Sequence, residues 1–314
     1  MLTCTIMVLN WNGEKWLQRC LPSVTEAARS VQAAVMIVDN GSSDESENLC
    51  RAKFPSVAFS RHENRFLASY NEAAAVSASD ILVFLNNDIV VDRNFLLPLL
   101  DHFRGPREVF AVAPKVLSFP VAPDSQVEME AESLLWTRGM LRGRPFTANG
   151  PALTRFCLGG AMACRRDRFL ELGGFDELYL PGYHEDVDIC WRAWKRGWAC
   201  IYEPRSVVYH AGHGSIEQSR RMTAIKLRNE FLFHWKNLDS ARFALAHIGN
   251  LPLRLAAAAI RRDMCRIKGF FYAVAKVPEM WAARRKIRGV AVVCDADCVK
   301  QINGAYVEGA NNNV

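Results

Sequence analysis

The chain has 314 residues, of which 50% are hydrophobic and 23% are charged. This composition excludes a largely disordered chain and allows one large α/β domain with an appendage. The net charge of +6 is unevenly distributed, because residues 215–289 contain 16 lysines and arginines against five acids. An excess of positive charge in one segment predicts an anionic partner for that segment.

The cysteines indicate the redox environment. All ten are scattered along the chain, and no two have the CxxC spacing of a redox or zinc motif. Most lie among apolar neighbours, where a thiol packs as a small hydrophobic side chain. Polar residues begin at Asn10, directly after a short apolar run, so we expect no signal peptide and a reduced, cytoplasmic protein.

Strand-like and helical patterns alternate over the first part of the chain. Apolar runs predict strands over residues 3–9, 33–38, 57–60, 81–85 and 110–116. Helical spacing of apolar residues predicts helices in the segments between them. Strands that alternate with helices predict an α/β fold with a mostly parallel sheet covered by helices on both faces.

The pattern then becomes less regular. Residues 118–151 are rich in proline, glycine and acids and are predicted to form loops over a cleft. A helix is predicted over 187–196, and two short strands over 199–202 and 207–209. Helices follow beyond residue 215, with breaks expected near Pro252 and Pro278.

These patterns divide the chain into three parts. An α/β domain is predicted over residues 1–215, a basic helical extension over 216–289, and a poorly ordered tail over 290–314. Residues 241–260 come closest to a membrane-spanning stretch, but charged residues and Pro252 interrupt them, so we expect no spanning helix. Basic and apolar residues mixed over 240–289 suit helices lying on an anionic membrane surface. The alternative is a helical cap packed on the domain.

Polar residues follow three of the predicted strands. Asn10 ends the first strand, Asp39 the second, and Asn86, Asn87 and Asp88 the fourth. Ligands of open α/β sheets bind beyond these carboxyl ends. A carboxylate there suits a ribose, and an Asp flanked by amides suits a divalent cation that holds phosphate oxygens. The alternative is that these residues only form turns, but three such strand ends favour a binding site.

Two further groups are candidates for chemistry. Glu185, Asp186 and Asp188 repel one another, so the cluster needs a cation or a proton-transfer role. Asp186 lies at the start of a predicted helix, where the dipole keeps it ionised and suits it to act as a general base. His210 follows a short strand and could share a metal ion with Asp88. The alternatives are an acidic helix cap and a structural histidine.

Taken in chain order, these residues resemble the family-2 glycosyltransferases of the GT-A fold, in particular the rhamnosyltransferase-like branch. The resemblance covers residues 3–215 and rests on seven motifs. Each motif alone is weak evidence for the family, but all seven in the family's order are strong evidence. The motifs are LNWNG at 9–13, IVDNGSSD at 37–44, LNND at 85–88, LGGAM at 158–162, GGFDE at 173–177, HEDVDICWR at 184–192 and YHAGHGS at 209–215.

The resemblance implies a role for each matched position. Asp88 would bind Mn²⁺ or Mg²⁺, and His210 would complete that metal site. Asp186 would be the catalytic base, with Glu185 beside it. Binding of the nucleotide and the donor sugar is assigned to Asn10, Asp39, Asn64, Asn86, Asn87, Gly159 and Gly160.

Two positions depart from the family pattern. Residues 63–71 carry no glycine where the family often has a glycine-rich stretch, so the nucleotide pocket is expected to have a different shape. Asn86 stands in place of the first acid of the family's DxD element, which is common in this branch.

The implied reaction is metal-dependent, inverting transfer of a hexosyl group from a nucleotide-diphosphate sugar to an acceptor hydroxyl. The donor would be a dTDP-, UDP- or GDP-sugar, and the acceptor a glycan or a lipid-linked sugar in bacterial polysaccharide or glycolipid assembly. One alternative is a nucleotidyltransferase, although no glycine-rich, basic loop follows the first strand. The other is an inactive nucleotide-sugar-binding subunit. No nucleic-acid partner is expected, because the basic segment lacks a known binding motif.

Overall fold

The computed structural model describes residues 2–105, 108–122, 125–212 and 219–305. Within these ranges the chain forms one large sheet, a separate two-stranded sheet, and helices packed against both. The strands are β1 (Cys4–Asn10), β2 (Ala34–Asp39), β3 (Ala58–Arg61), β4 (Ile81–Asn86), β5 (Ile89–Val91), β6 (Val109–Ser118), β7 (Val127–Met129), β8 (Ala131–Thr137), β9 (Met140–Phe146), β10 (Ala152–Leu153), β11 (Ala161–Arg165) and β12 (Ala199–His210).

The helices surround the sheet and then continue as a C-terminal group. They are α1 (Glu14–Val31), α2 (Ser46–Lys53), α3 (Ser69–Val76), α4 (Leu96–Asp101), α5 (Arg166–Glu171), α6 (Glu185–Lys195), α7 (Arg220–Asn237), α8 (Ala241–Ile260), α9 (Met264–Ala275), α10 (Val277–Arg288) and α11 (Asp295–Ile302). Short 3-10 turns cover Phe66–Ala68 and Glu177–Tyr179.

The large sheet is parallel on one side and mixed on the other. Its strand order is β10-β12-β6-β11-β4-β1-β2-β3, in which β4, β1, β2 and β3 are parallel. The inner strands β1 and β4 are apolar and buried, as expected for strands covered on both faces. β6 and β12 are also parallel to each other, and β11 runs antiparallel between β4 and β6. The sheet is therefore mixed but mostly parallel, as the sequence predicted.

The strand register brings the candidate residues to one edge. In the pairing of β1 with β2, Asn10 lies opposite Asp39, and in the pairing of β1 with β4, Leu9 lies opposite Asn86. The carboxyl ends of these three strands therefore meet, as the sequence predicted.

Several local predictions differ from the structure. The segment 118–151, predicted as loops, contains β7 and the hairpin of β8 and β9. The two short strands predicted over 199–209 form one strand, β12, with an irregularity between Glu203 and Val207. Helix α6 begins at Glu185, two residues earlier than predicted, so Asp186 lies inside its first turn.

The C-terminal predictions also need correction. Helix α8 continues through Pro252, which is exposed, so that water can satisfy the carbonyl group that its ring leaves unpaired. Residues 290–305 are not a poorly ordered tail, because α11 forms there and buries Cys298 and Ile302. Residues 306–314 lie outside the described ranges.

A buried ion-pair network joins α6 to α7. Asp188 is fully buried, and its carboxylate accepts hydrogen bonds from Arg192 (2.7 Å), Lys236 (2.8 Å), Tyr179 (2.8 Å) and Asn237 (2.8 Å). Burial alone would raise the pKa of Asp188, but the charges of Lys236 and Arg192 outweigh burial and hold that pKa below its ordinary value. The third acid of the predicted cluster is therefore a structural residue.

Replacing Lys236 by Met should destabilise the protein. The change leaves buried Asp188 with Arg192 as its remaining cation, and breaking a buried pair lowers the free energy of unfolding by about 3–5 kcal/mol. Urea denaturation of both proteins measures the difference. Lys286→Met, at an exposed position on α10, is the control and should change the free energy of unfolding by less than about 0.5 kcal/mol. Equal losses in the two variants would contradict the structural role of Lys236.

Candidate active site

The first part of the site is a chain of hydrogen bonds across the ends of β1, β2 and β4. The side-chain amide of Asn10 donates to Asp39 Oδ1 (2.9 Å), and its oxygen accepts from the amide of Asn87 (2.8 Å). Asp39 is fully buried and also accepts the backbone N–H and the hydroxyl of Ser42. The guanidinium of Arg61 lies 3.6 Å from Asp39 Oδ2. The structure thus brings three predicted nucleotide-binding residues together.

The backbone packs closely against this chain of hydrogen bonds. A Cβ atom on Gly13 would lie 1.9 Å from Asn87 Nδ2 and 2.5 Å from Asn10 Oδ1. A side chain at Gly13 would therefore displace both amides, so glycine is required there by close approach rather than by a turn.

The second part of the site is the predicted metal position. Asp88 is buried, and neither of its carboxylate oxygens has a hydrogen-bond partner among the described residues. His210 Nε2 lies 3.4 Å from Asp88 Oδ2, and His210 Nδ1 lies 2.9 Å from Glu128 Oε2. Antiparallel pairing of β5 with β12 places His210 beside Ile89 and so brings the imidazole to Asp88. Contact with Asp88, together with Glu128, raises the pKa of His210 to about 9.

These residues fit a divalent cation. A buried carboxylate without hydrogen bonds is unfavourable, and a divalent cation between Asp88 and the nearby imidazole of His210 would satisfy its oxygens. Carboxylate oxygen suits Mg²⁺ and Mn²⁺, and imidazole is a common metal ligand. Glu128 would hold the other ring nitrogen of His210, as a carboxylate commonly does for a metal-binding histidine.

The third part of the site is the first turn of α6. Asp186 Oδ1 accepts the backbone N–H of Val187 (2.7 Å), and Gly159 N lies 3.4 Å from Asp186 Oδ2. Burial raises the pKa of Asp186 to about 6, although these two N–H groups act to lower it. Burial and the neighbouring Asp186 also raise the pKa of Glu185, whose buried Oε2 has no hydrogen-bond partner among the described residues. An ionised Asp186 can accept a proton.

The turn at residues 159–160 connects the base to the end of β4. Asn86 donates its backbone N–H to the carbonyl of Gly160 (2.8 Å). A Cβ atom on Gly160 would lie 2.4 Å from Asn86 Cγ, and one on Gly159 would lie 2.6 Å from Leu67 Cδ1. Both glycines are therefore needed for close packing, and the turn lies between Asp186 and Asn86, the last residue of β4.

Not every predicted residue joins these groups. Asn64 Oδ1 accepts the backbone N–H of Phe66 (3.1 Å) and forms a turn in its own loop, so its nucleotide role stays a prediction. Glu128 was missed, because residues 118–151 were read as loops. Asn229 on α7 was also missed, and no local pattern could have found it, since its partners lie 46–50 residues away. Residues 213–215 of the last motif lie outside the described ranges.

Two solved structures share this fold. The crystal structure of GalNAc-T7 with UDP, GalNAc and Mn²⁺ has a TM-score of 0.62 and 21% identity, covering 76% of this chain and 49% of that chain. The mannosyltransferase PcManGT from Pyrobaculum calidifontis, in complex with GDP-Man and Mn²⁺, has a TM-score of 0.53 and 17% identity, covering 92% and 86%. The predicted GT-A type of α/β fold is therefore confirmed.

Two curated proteins of Mycobacterium tuberculosis are similar in sequence. The pre-mycofactocin glycosyltransferase is 31% identical over 179 residues, which are 56% of this chain but 37% of the relative. The N-acetylglucosaminyl-diphospho-decaprenol L-rhamnosyltransferase is 25% identical over 263 residues, which are 73% of this chain and 82% of the relative. The chain thus spans well under half the length of the first relative.

The family model for glycosyl transferase family 2 matches residues 5–173, which is more than half of the chain. The chain therefore belongs to glycosyl transferase family 2, as its motifs predicted. The matched segment contains Asn10, Asp39, Asp88 and the turn at 159–160, and it ends before Asp186 and His210.

Proposed function

We propose that this protein transfers a hexosyl group from a nucleotide-diphosphate sugar to an acceptor hydroxyl with inversion at the anomeric carbon. The observation that supports this reaction best is one sheet edge with two carboxylates: buried Asp88, which has no hydrogen bond among the described residues, and Asp186 on α6, which contacts the turn at residue 159 beside that edge. The chain of hydrogen bonds through Asn10 and Asp39 at the same edge suits a nucleotide.

The residues divide the reaction between them. Asp186 takes the proton of the acceptor hydroxyl, whose oxygen forms a bond to the anomeric carbon. The bond from that carbon to the diphosphate breaks on the opposite face, and the nucleoside diphosphate leaves with the electron pair. Asp88 and His210 would hold Mn²⁺ or Mg²⁺, and the bound cation supplies charge neutralisation for the diphosphate.

The substrates follow from this chemistry and from the relatives. Donors that carry dTDP, UDP or GDP all present the ribose and diphosphate that the strand ends suit. We propose an acceptor that is a glycan or a lipid-linked sugar in bacterial polysaccharide or glycolipid assembly, since one relative is named for a lipid-linked diphospho-sugar. The ten free cysteines suit a reduced compartment, so we place the protein in the cytoplasm.

Asp186→Asn should abolish most of the transfer while the protein still folds and binds its donor. The amide cannot accept the proton, and general-base catalysis contributes about 10²–10⁴-fold to the rate. Glu185→Gln is the matched control next to it and should lower kcat less. Turnover can be measured with a panel of nucleotide-sugars and Mn²⁺. Near-normal kcat in Asp186→Asn would show that another group is the base.

The same assay separates the alternatives. A nucleotidyltransferase would release diphosphate from a nucleoside triphosphate and leave nucleotide-sugars intact. An inactive binding subunit would bind nucleotide-sugars without transferring or hydrolysing them.

The metal site gives a second prediction. Chelation of divalent ions should abolish transfer, and Asp88→Ala should weaken the Mn²⁺-dependent binding of the donor, because it removes the buried carboxylate whose oxygens have no hydrogen bond among the described residues. His210→Ala should weaken it less. Calorimetry of donor binding with and without Mn²⁺ measures both effects, with Asp101→Ala, an exposed position on α4, as the control. A wild-type donor affinity that is unchanged by divalent ions would contradict the metal role.

We also propose that the C-terminal helices bind an anionic membrane surface. Helix α8 is long and apolar enough to cross a membrane by length and composition, contrary to the sequence-based expectation, and little of it is buried. Its exposed apolar residues lie opposite the docked side that carries His247. They are accompanied by exposed apolar residues on α9 and α10, and the set is Leu245, Ile248, Leu253, Ile260, Met264, Phe271, Tyr272 and Trp281.

Exposed basic residues accompany this apolar surface. Leu253 is 70% and Ile260 is 83% exposed, which is unfavourable in water for large apolar side chains on a single helix. The exposed basic residues on the same helices and on the turn between α8 and α9 are Arg242, Arg261, Arg262, Lys268, Arg285, Lys286 and Arg288. This combination suits a helix lying at a lipid interface, where each basic residue contributes about 1 kcal/mol.

Sedimentation with liposomes tests the membrane proposal. The protein should pellet with vesicles that contain phosphatidylserine at low salt, and high salt should release part of it. Leu253→Glu combined with Ile260→Glu should prevent pelleting, whereas Val76→Glu, an exposed apolar position on α3, should not. Equal recovery in the supernatant with anionic and neutral vesicles would rule the membrane surface out.

A further inference from the structure

The turn that precedes the catalytic helix has an unusual backbone. Gly182, Tyr183 and His184 have φ values of 147°, 69° and 79°, so three consecutive residues lie in the positive-φ region. Glycine adopts such values freely, but Tyr183 and His184 carry side chains that disfavour them. A conformation of this kind persists only where surrounding contacts impose it. The next two residues are Glu185 and Asp186, the first two residues of α6.

One side chain supplies much of that constraint. Asn229 on α7 is fully buried, and its Nδ2 donates to the carbonyl oxygens of Tyr179 (2.6 Å), Gly182 (2.9 Å) and Tyr183 (2.9 Å). Two N–H bonds are shared among three acceptors, so the carbonyl groups of the turn converge on a single amide. Asn229 Oδ1 in turn accepts from Arg228 Nε (2.8 Å), which fixes the orientation of that amide.

The neighbouring arginine completes the contact. Arg228 Nη2 donates to the carbonyl oxygen of Leu180 (2.6 Å), within the same turn. Two adjacent residues of α7 thus hold the carbonyl groups of Tyr179, Leu180, Gly182 and Tyr183. These residues lie beyond the segment 5–173 that the family model matches.

The position of the base depends on this turn. Gly159 N lies 3.4 Å from Asp186 Oδ2, which is a long contact that a small movement of α6 would break. If the turn relaxed to negative φ values, the first residues of α6 would move, because the turn leads directly into them.

We propose that Asn229 is a positioning residue for glycosyl transfer, which holds the turn at residues 182–184 and thereby aims Asp186 at the acceptor hydroxyl. This inference rests on the proposed function of Asp186. Asn229 itself contacts neither Asp186 nor the strand ends, so its effect is transmitted through the backbone of the turn.

The experiment compares two buried asparagines of α7. Asn229→Ala removes the amide from the turn and should lower kcat about 100-fold, since a small misplacement of a catalytic group has an effect of that size. The KM for the donor should change little, because the nucleotide-binding residues lie on other elements. Asn237→Ala is the matched control, since Asn237 is also buried and does not contact the turn, and its loss leaves Asp188 paired with Lys236 and Arg192. Both variants should lower Tm, but only Asn229→Ala should lower kcat strongly.

A rescue variant distinguishes positioning from stability. Glycine adopts positive φ without cost, so Tyr183→Gly combined with Asn229→Ala should recover part of the lost kcat. Asn229→Asp, which keeps the volume of the side chain, replaces Asn229→Ala if that variant does not fold. Hydrogen exchange of the amides over residues 179–186 should accelerate in the Asn229 variants and stay unchanged in Asn237→Ala, independently of any activity.

The outcomes separate this inference from the proposed function. If the wild type transfers sugar and Asn229→Ala loses no more kcat than Asn237→Ala, Asn229 is not a positioning residue. Unchanged exchange over residues 179–186 in the Asn229 variants would overturn the inference even if the wild type transferred no sugar. If the wild type transferred no sugar but exchange were faster in the Asn229 variants, Asn229 would still be shown to hold the turn. The proposed function, and with it the positioning role in transfer, would be contradicted.

Discussion

A fully buried carboxylate, that of Asp188, sets the arrangement on which the rest of the site depends. A buried charge must be paired and hydrogen-bonded, and Asp188 draws its partners from α6, α7 and the 3-10 turn before α6. If α6 and α7 moved apart, the Asp188 carboxylate would lose its ion pair with Lys236 while still buried, or would become exposed. This cost fixes α6 against α7. Asp186, the proposed base, lies two residues earlier on the same helix, so the ion pair between Asp188 and Lys236 also restricts the position of Asp186.

The sequence predicted the residues whose position follows from strand order. Asn10, Asp39 and Asp88 could be placed at one edge because parallel strands of known direction end together. The missed strand β7 had a local signal, since residues 127–132 read VEMEAE, an alternation of apolar and acidic residues that is typical of a strand. The proline and glycine residues on either side of this alternation favour a loop, and so the segment is predicted as a loop. Asn229 had no such signal, because its role depends on a helix docking that no local pattern encodes.

The basic residues of the C-terminal segment have two different roles, buried and structural or exposed at the surface, and composition alone does not distinguish them. Arg228 and Lys236 are buried and hold the turn and Asp188, and Arg284 is buried and donates to the carbonyl groups at the end of α7. These cations cannot serve an anionic surface. The charge that remains available is the exposed set on α8, α9 and α10, beside the apolar residues of the same helices. The proposed membrane binding therefore depends on fewer positive charges than the number of lysines and arginines in the segment suggests. It also depends on an exposed apolar surface that a count of charges does not include.

Geometry and ionisation are linked at Asp186, the proposed base. Burial raises the pKa of Asp186, and the N–H groups of Val187 and Gly159 lower it. The N–H of Val187 belongs to the same helix and moves with Asp186, whereas the N–H of Gly159 belongs to the turn beside β11 and does not. A displacement of α6 would therefore increase the distance from Asp186 to the acceptor hydroxyl. It would also break the hydrogen bond from the N–H of Gly159, which favours the ionised form of Asp186. The base would be farther from its proton and more often protonated already, so rigidity at residues 182–184 protects both properties.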